Sequence, residues 1–121
     1  MSSKQLILIS FGYKYSTPDA DLTIDVREWP NPYWDEKLAP LTGLDQPIVD
    51  FFAKENGVLN DIENIRLNIV QLTNQRQGET HVAIGCTGGQ HRSVFAVEKL
   101  AKQLSDDYSV VRVEHRERPK W

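Results

Sequence analysis

A short, uninterrupted apolar run near the amino terminus, Leu6-Ile7-Leu8-Ile9, is the feature that most restricts the fold of this chain. Successive side chains of a strand point to opposite faces of a sheet. A run that is apolar at every position therefore predicts a strand covered on both faces, as in the interior of an α/β protein. Ser10-Phe11-Gly12 is expected to end this strand.

Three further strands are indicated, and helical patterns separate them. Residues 22–27 alternate apolar and polar side chains, and residues 81–84 and 110–113 are short strand-like runs. Strands interleaved with helices predict a mostly parallel sheet with helices on its faces. We expect one α/β domain that spans residues 1–121, with its core at about residues 6–118.

Proline and glycine predict the limits of the helices. Pro47 is expected to start a short helix that ends at Gly57. A longer amphipathic helix should reach about residue 77, with Asn60 and Glu63 as its capping pair and Gly78 as its stop. Residues 29–47 hold four of the six prolines and predict an ordered, irregular loop. A third helix is predicted to follow Gly89, with Arg92 one turn into it.

The composition fits a small soluble protein. The 121 residues carry 14 Lys and Arg against 17 Asp and Glu, a net charge of −3, which argues against binding nucleic acid by bulk charge. One cysteine excludes an intrachain disulfide, and with three histidines it is a poor zinc set, so we expect neither metal nor cofactor. The chain has no membrane-length apolar run or signal-peptide pattern, and we expect it to be cytoplasmic.

The candidate site lies in the turn between the third strand and the third helix, residues 84–93. Gly88 and Gly89 let the backbone bring its N–H groups close to a ligand, and the helix start adds a positive dipole end. Arg92 offers a planar fork to a phosphate or carboxylate. Thr87, His91 and Ser93 can add hydrogen bonds. The segment predicts an anion-binding loop, and a helix cap that binds nothing is the alternative.

Two chemistries remain open for this loop. Cys86, Arg92 and Ser93 match the pattern C-x5-R-S/T of cysteine-dependent phosphatases, in which a thiolate attacks phosphorus and the arginine holds the oxygens. Gly85 stands where those enzymes usually carry histidine. Three carboxylates are candidates for the general acid: Asp19, Asp21 and Asp25. The alternative is that Cys86 is a small buried residue. A nucleotide-hydrolysing P-loop motif is absent.

Several blocks of the sequence resemble the C-terminal domain of the RapZ (RNase adapter) family. These blocks are Ser10-Phe11-Gly12-Tyr13-Lys14, Asp25-Val26-Arg27, Pro30-Asn31-Pro32, Leu41-Thr42-Gly43-Leu44-Asp45 and residues 85–93. The resemblance implies an adapter that senses glucosamine-6-phosphate, binds small regulatory RNA and forms oligomers, and is not an enzyme. In that family the domain normally follows an ATPase-like domain, so the resemblance also makes a separate ATPase-like protein a candidate partner.

The resemblance adds further residues to the candidate site in the turn between the third strand and the third helix. Lys14, Asp25, Arg27 and Gln90 join the residues expected around a sugar phosphate, although Asp25 and Arg27 can equally pair with each other. Tyr33 and Gln90 stand where the best-studied members carry histidine and lysine. The tail has a net charge of +2, and it is either a weak RNA-binding surface or a solvated strand end. Its cations are Arg112, Arg116, Arg118 and Lys120.

Overall fold

A computed structural model describes residues 4–121, and a parallel four-stranded sheet forms its centre. The strands are β1 (Gln5–Gly12), β2 (Leu22–Asp25), β3 (Glu79–Cys86) and β4 (Val110–His115), in the spatial order β2-β3-β1-β4. All three strand pairs are parallel. The α/β class and parallel sheet predicted from the sequence are confirmed.

The first strand is longer than its apolar run. β1 continues through Ser10 and Phe11 to Gly12, and both side chains are fully buried. The continuation is stabilised on both sides, because Ser10 is in register with His115 of β4 and Gly12 with Cys86 of β3. The strand ends at Gly12, within the segment Ser10-Phe11-Gly12 that was expected to end it, and the strand partners of the buried Ser10 carry it past the apolar run.

Three helices connect the strands: α1 (Gln46–Ala53), α2 (Asn56–Asn74) and α3 (Arg92–Leu104). Pro47 lies in the first turn of α1, as predicted. Gly57 does not end that helix, because α1 has already stopped at Ala53 and Gly57 belongs to the first turn of α2. The N-cap of α2 is Glu55, so Asn60 and Glu63 lie inside the helix and form no capping pair.

All three helices contribute to one hydrophobic core, on the face of the sheet that carries Leu6, Leu8, Val82 and Ile84. The opposite face carries a second, smaller cluster around Ile7, Ile9 and Phe11. Tyr13 and Ala20, from the segment that returns from β1 to β2, pack against it. Helices therefore cover one face and a connecting segment part of the other.

Residues 46 and 47 already belong to α1, and residues 29–45 form most of the irregular connection that the prolines predict. A single 3-10 turn, Pro32–Trp34, lies within it, and the Asn31 side chain caps this turn by accepting a hydrogen bond from the Tyr33 N–H. Pro32 is buried and anchors the segment. Among the helices of residues 4–121, none is both long and apolar enough to cross a membrane.

Candidate functional site

The carboxyl ends of the strands bring the candidate residues to one edge of the sheet. Backbone pairing continues past the strands, since the Lys14 N–H donates to the Thr87 carbonyl at 3.1 Å. On the other side of β3, the Val26 N–H donates to the Gly85 carbonyl at 2.9 Å. Lys14, the glycine loop (residues 87–91) and Arg27 therefore lie side by side, at the edge where open α/β sheets bind ligands.

Glycine is required where the glycine loop crosses the end of β1. A Cβ on Gly12 would lie 2.7 Å from the Gly88 carbonyl carbon, so the two backbones are in direct contact. Gly89 has a φ of +70°, in the left-handed region that side-chain-bearing residues rarely adopt. These two glycines allow the loop to lie close over the end of β1.

The glycine loop presents backbone donors. Among residues 4–121, no hydrogen-bond acceptor is found for the N–H groups of Gly88, Gly89 and Gln90. They immediately precede α3, whose dipole places partial positive charge at this end. Unpaired N–H groups at the start of a helix form a site for an anion.

Arg92 is buried beside the glycine loop, with 5% of its surface exposed. Its Nη1 donates to the backbone carbonyls of Arg27 at 2.5 Å and Trp29 at 3.3 Å, and so ties the segment after β2 to α3. Its Nε and Nη2 have no acceptor within residues 4–121, which leaves two donors of the guanidinium for a ligand. Arg92 thus links the segment after β2 to α3, and its remaining guanidinium nitrogens can donate hydrogen bonds to an anion.

His91, at the N-cap of α3, is also buried, and its Nε2 has no hydrogen-bond partner among the described residues. Burial lowers the pKa of His91 below its usual value of 6.5, although the backbone carbonyls around Leu38, Ala39 and Leu41 oppose this shift. The ring is therefore neutral at physiological pH. The ring lies beside residues 38–41, which the Gln90 amide also contacts, and its unpaired nitrogen is not accessible from the surface of the glycine loop.

Gln90 and Ser93, two of the predicted site residues, form hydrogen bonds within the fold. The Gln90 amide nitrogen donates to the carbonyls of Leu41 at 2.8 Å and Ala39 at 3.3 Å, away from the glycine loop. Ser93 is fully buried, and its hydroxyl lies 3.2 Å from the Cys86 Sγ. Thr87, by contrast, is exposed at the front of the loop.

Asp25 and Arg27 pair with each other at the end of β2. The Arg27 Nη2 lies 2.7 Å from Asp25 Oδ2, and the Arg27 Nε lies 3.0 Å from both carboxylate oxygens. The hydrogen bonds from Arg27 lower the pKa of Asp25, although partial burial opposes them. The guanidinium also stacks over the Tyr13 ring at 3.9 Å. Both side chains remain about half exposed, so the pair can still face a ligand.

The geometry gives the phosphatase alternative little support. The thiol of Cys86 is free, 2% exposed, and accepts a hydrogen bond from the Ser93 N–H at 3.4 Å. A Cβ on Gly85 would lie 2.4 Å from the Phe11 ring, so the position that usually carries histidine has no room for a side chain.

The proposed general acids are also poorly placed. Asp21 accepts a hydrogen bond from the His81 N–H at the opposite end of β3. His81 precedes Cys86 by five residues of strand, about 16 Å at ~3.3 Å per residue. Asp19 precedes Asp21 in the segment leading into β2. Asp25 alone of the three lies at the edge that carries the glycine loop.

Three of the four cations of the basic tail lie close to a carboxylate within the described residues, which the charge count of the tail alone does not indicate. Arg116 and Lys120 both contact the buried carboxylate of Glu117, at 3.1 Å and 2.6 Å. Arg112 lies 3.8 Å from Glu79, on the second face of the sheet. Arg118 is exposed, with its guanidinium 5.9 Å from the Trp121 ring.

Glu117 and Trp121 contact the site and were not predicted from the sequence, whereas Gly43 lies in a block that the family resemblance includes. Glu117 is 1% exposed and accepts a hydrogen bond from the Gly12 N–H at 3.0 Å. The Trp121 Nε1 donates to the Gly89 carbonyl at 3.1 Å. A Cβ on Gly43 would lie 2.5 Å from the Phe95 nitrogen, so residues 42–44 press on the first turn of α3. Their partners are remote in sequence, and no local pattern signals such contacts.

Comparison with known proteins finds sequence matches over nearly the whole chain. The family model of the RapZ C-terminal domain matches residues 4–119. A "Nucleotide-binding protein" of Actinobacillus pleuropneumoniae serotype 5b (strain L20) is 42% identical over 117 residues, which cover 93% of this chain and 41% of that protein. Nucleotide-binding proteins of Burkholderia mallei (strain SAVP1) and Burkholderia pseudomallei (strain 668) are each 48% identical over 119 residues, 94% of this chain.

The chain spans about two fifths of the length of these curated relatives. The matching region contains the whole sheet, its three helices and the glycine loop. The extent of the family match, nearly all of the described residues, and the identity to these relatives lead to the same assignment. The chain belongs to the RapZ C-terminal domain family.

Proposed function

We propose that this domain binds a phosphorylated small molecule at the glycine loop and does not transform it. The observation that carries the proposal is the set of three consecutive N–H groups, of Gly88, Gly89 and Gln90, that have no acceptor in residues 4–121. Two nitrogens of the Arg92 guanidinium, Nε and Nη2, that have no acceptor among these residues belong to the same turn. Donors so arranged match the oxygens of a phosphate group.

A phosphorylated amino sugar, such as glucosamine-6-phosphate, is the ligand that we propose. The phosphate would bind the loop donors, and Lys14, at the neighbouring strand end, adds a positive charge. The half-exposed carboxylate of Asp25 lies at the same edge and is a suitable partner for an ammonium or hydroxyl group. The relatives' name makes a nucleotide the alternative ligand, since it shares the phosphate.

Binding without turnover follows from the surroundings of the thiol. Cys86 is buried behind the glycine loop and hydrogen-bonded to Ser93, so its sulfur is not presented to a ligand. The pKa of Asp25 lies below its usual value because Arg27 hydrogen-bonds to its charged form. A carboxyl that is ionised at neutral pH cannot donate the proton that a leaving group needs.

Calorimetric titration with glucosamine-6-phosphate, inorganic phosphate, AMP and uncharged glucosamine tests the proposal. We expect the phosphorylated sugar to bind and glucosamine to bind far more weakly. Arg92→Ala should cost about 1.5–3 kcal/mol of binding free energy, the range for a charge-assisted hydrogen bond. Arg66→Ala is the matched control, because Arg66 pairs with Glu63 on the exposed side of α2. Equal binding by the wild type and Arg92→Ala would show that the site is wrong.

We further propose that an RNA strand contacts the basic surface beside this site. Two cations flank one aromatic ring there, with Lys120 Nζ at 3.8 Å and Lys14 Nζ at 5.2 Å from the centre of the Tyr15 ring. Tyr15 is exposed, and aromatic rings beside cations suit both the bases and the phosphates of a single strand. With a net charge of −3, the domain would need this surface to be combined across subunits, so we also propose a homo-oligomer.

A further inference from the structure

The last residues of the chain pack directly behind the glycine loop. The buried Glu117 accepts a hydrogen bond from the Gly12 N–H, and Gly12 lies against Gly88. A Cβ on Gly89 would lie 2.6 Å from the Glu117 Cγ and 2.7 Å from the Gly12 nitrogen. The glycine loop, the end of β1 and Glu117 are therefore in van der Waals contact with one another, and the loop cannot move towards the sheet.

Trp121 fixes the direction of one peptide unit of the loop. Its Nε1 donates to the Gly89 carbonyl oxygen at 3.1 Å. Because a peptide unit is planar and trans, this carbonyl and the N–H of Gln90 point in opposite directions. The hydrogen bond from Trp121 therefore holds the Gln90 N–H directed away from the indole. That N–H is one of the three loop donors without an acceptor in residues 4–121.

The contact between Glu117 and Gly12 is a charged one. Burial raises the pKa of Glu117, but the hydrogen bonds from Lys120, the Gly12 N–H and Arg116 outweigh it, and the pKa lies below its usual value. Glu117 is therefore a carboxylate at neutral pH. A charged acceptor forms a stronger hydrogen bond than a neutral one, which fixes the position of Gly12 under the glycine loop.

We propose that Glu117 and Trp121 are positioning residues of the anion site, which together set the directions of the donors in the glycine loop. The proposal rests on the proposed function of that loop. Neither side chain reaches the ligand: Glu117 acts through Gly12 and Gly89, and Trp121 acts through the Gly89 carbonyl. The carboxy-terminal turn is thus a part of the binding site.

Trp121→Phe is the sharpest variant, because it keeps the aromatic ring and removes the N–H. We expect the amide NMR signals of Gly89 and Gln90 to shift in the free protein, and phosphate and glucosamine-6-phosphate to bind about threefold to tenfold more weakly, the effect of one hydrogen bond. Trp34→Phe is the matched control, since Trp34 is 81% exposed. Affinity for both probes equal to that of the wild type would overturn the role of Trp121, whether or not the signals shift.

Glu117→Gln tests the second residue through Gly12. The amide oxygen can still accept from the Gly12 N–H, but more weakly, so the Gly12 signal should shift and its hydrogen exchange should accelerate. Glu114→Gln, at an exposed position of β4, should leave that signal in place. A Gly12 signal that is the same in the wild type and in Glu117→Gln would overturn the role of Glu117.

The design separates the failure of this inference from the failure of the proposed function. If the wild type binds neither probe, the anion site is wrong, and the amide signals of the free protein still show whether the carboxy-terminal turn sets the loop. If the wild type binds and Trp121→Phe binds equally well, the site is right and the positioning role of Trp121 is wrong. Amide shifts throughout the sheet in Trp121→Phe would indicate a general loosening of the fold and would also overturn it.

Discussion

Ser10 and His115 are neighbours on β1 and β4, and a hydrogen bond of 2.7 Å joins the Ser10 Oγ to the His115 Nδ1. The other ring nitrogen lies 2.8 Å from a carboxylate oxygen of Glu98 on α3. The chain of three side chains connects two strands and the helix that follows the glycine loop. Ser10 is fully buried, so no substrate reaches its hydroxyl, and the arrangement stabilises the fold.

Ser10→Ala should lower the free energy of unfolding by about 1–3 kcal/mol, because it leaves a nitrogen of the buried His115 ring without a partner. Urea denaturation measures the change as a lower midpoint. Ser105→Ala is the control, since its hydroxyl contacts a single carbonyl at the exposed end of α3. Equal midpoints for Ser10→Ala and the wild type would mean that the hydrogen bond contributes nothing to stability.

Two glycine substitutions should have opposite effects. A Cβ on Gly43 would lie 2.5 Å from the Phe95 nitrogen and 2.7 Å from the His91 carbonyl oxygen, and neither backbone atom can move without displacing α3. Gly43→Ala should therefore cost about 1–3 kcal/mol of stability. Gly57, in the first turn of α2, has open space around it, and Gly57→Ala should add about 0.5–1 kcal/mol. Thermal unfolding of both variants checks the signs, and a destabilised Gly57→Ala would contradict them.

The sequence predicts the sheet well because strands and helices have local signatures. The apolar run of β1 implies a strand that is buried on both faces, and the spacing of Ile62, Ile65 and Ile69 implies one buried face of α2. The structure buries all of these residues. The boundary between α1 and α2 was predicted less well. A glycine often marks the end of a helix, but α1 already ends at Ala53. Gly57 therefore belongs to the first turn of the next helix, α2.

The glycine loop illustrates what a sequence pattern leaves out. The strand–helix turn, with Gly88, Gly89 and Arg92, is visible as a pattern because its members are close together in the chain. Glu117 follows β4, and it reaches the loop because β4 lies next to β1 in the sheet. Its hydrogen-bond partner Gly12 is 105 residues away in the sequence. In the charge count of the tail Glu117 is one of two negative charges against four positive ones, whereas in the fold its buried carboxylate contacts both Arg116 and Lys120.

His91 should make stability depend on pH below about 6.5, the usual pKa of a histidine. Burial lowers its pKa below 6.5, so in that range the unfolded chain binds more protons than the folded one. The stability that depends on a neutral His91 is fully present above pH 6.5 and is lost as the pH falls towards the folded-state pKa. Glu117, also with a lowered pKa, contributes a further loss that begins near pH 4.5.

Urea denaturation at several pH values measures this dependence. The wild type should lose more stability than His91→Gln as the pH falls below about 6.5, because glutamine does not titrate. His81→Gln is a control for the loss of a histidine, since His81 is partly exposed near the other end of β3. Parallel curves for the wild type and His91→Gln would contradict the assignment.

Cys86→Ser should leave the hydrolysis of an aryl phosphate unchanged, with wild type and variant equally inactive. The thiol is buried, and Asp25 is ionised beside Arg27. A steady-state assay with p-nitrophenyl phosphate measures this. Turnover by the wild type that disappears in Cys86→Ser would establish the phosphatase alternative, because serine cannot supply a thiolate.

The basic surface should make any RNA affinity strongly dependent on salt. Each phosphate contact to a single strand contributes a slope of about −0.7 to the logarithm of the binding constant against that of the salt concentration. Lys14 and Lys120 beside Tyr15, with Arg118, would give about −2 for one chain and about −4 for a dimer that uses both surfaces.

Fluorescence anisotropy with a labelled single-stranded RNA at several salt concentrations measures that slope. Arg118→Ala should reduce its size by about 0.7 per chain, because Arg118 is exposed and forms no ion pair among the described residues. Lys120→Ala should reduce the slope as well, but it also removes a partner of the Glu117 carboxylate, so its effect on stability has to be measured in parallel. Arg66→Ala, on α2, serves as the control for the loss of one positive charge. Tight binding with a flat slope, or equal slopes for all of these variants, would show that RNA does not use this surface.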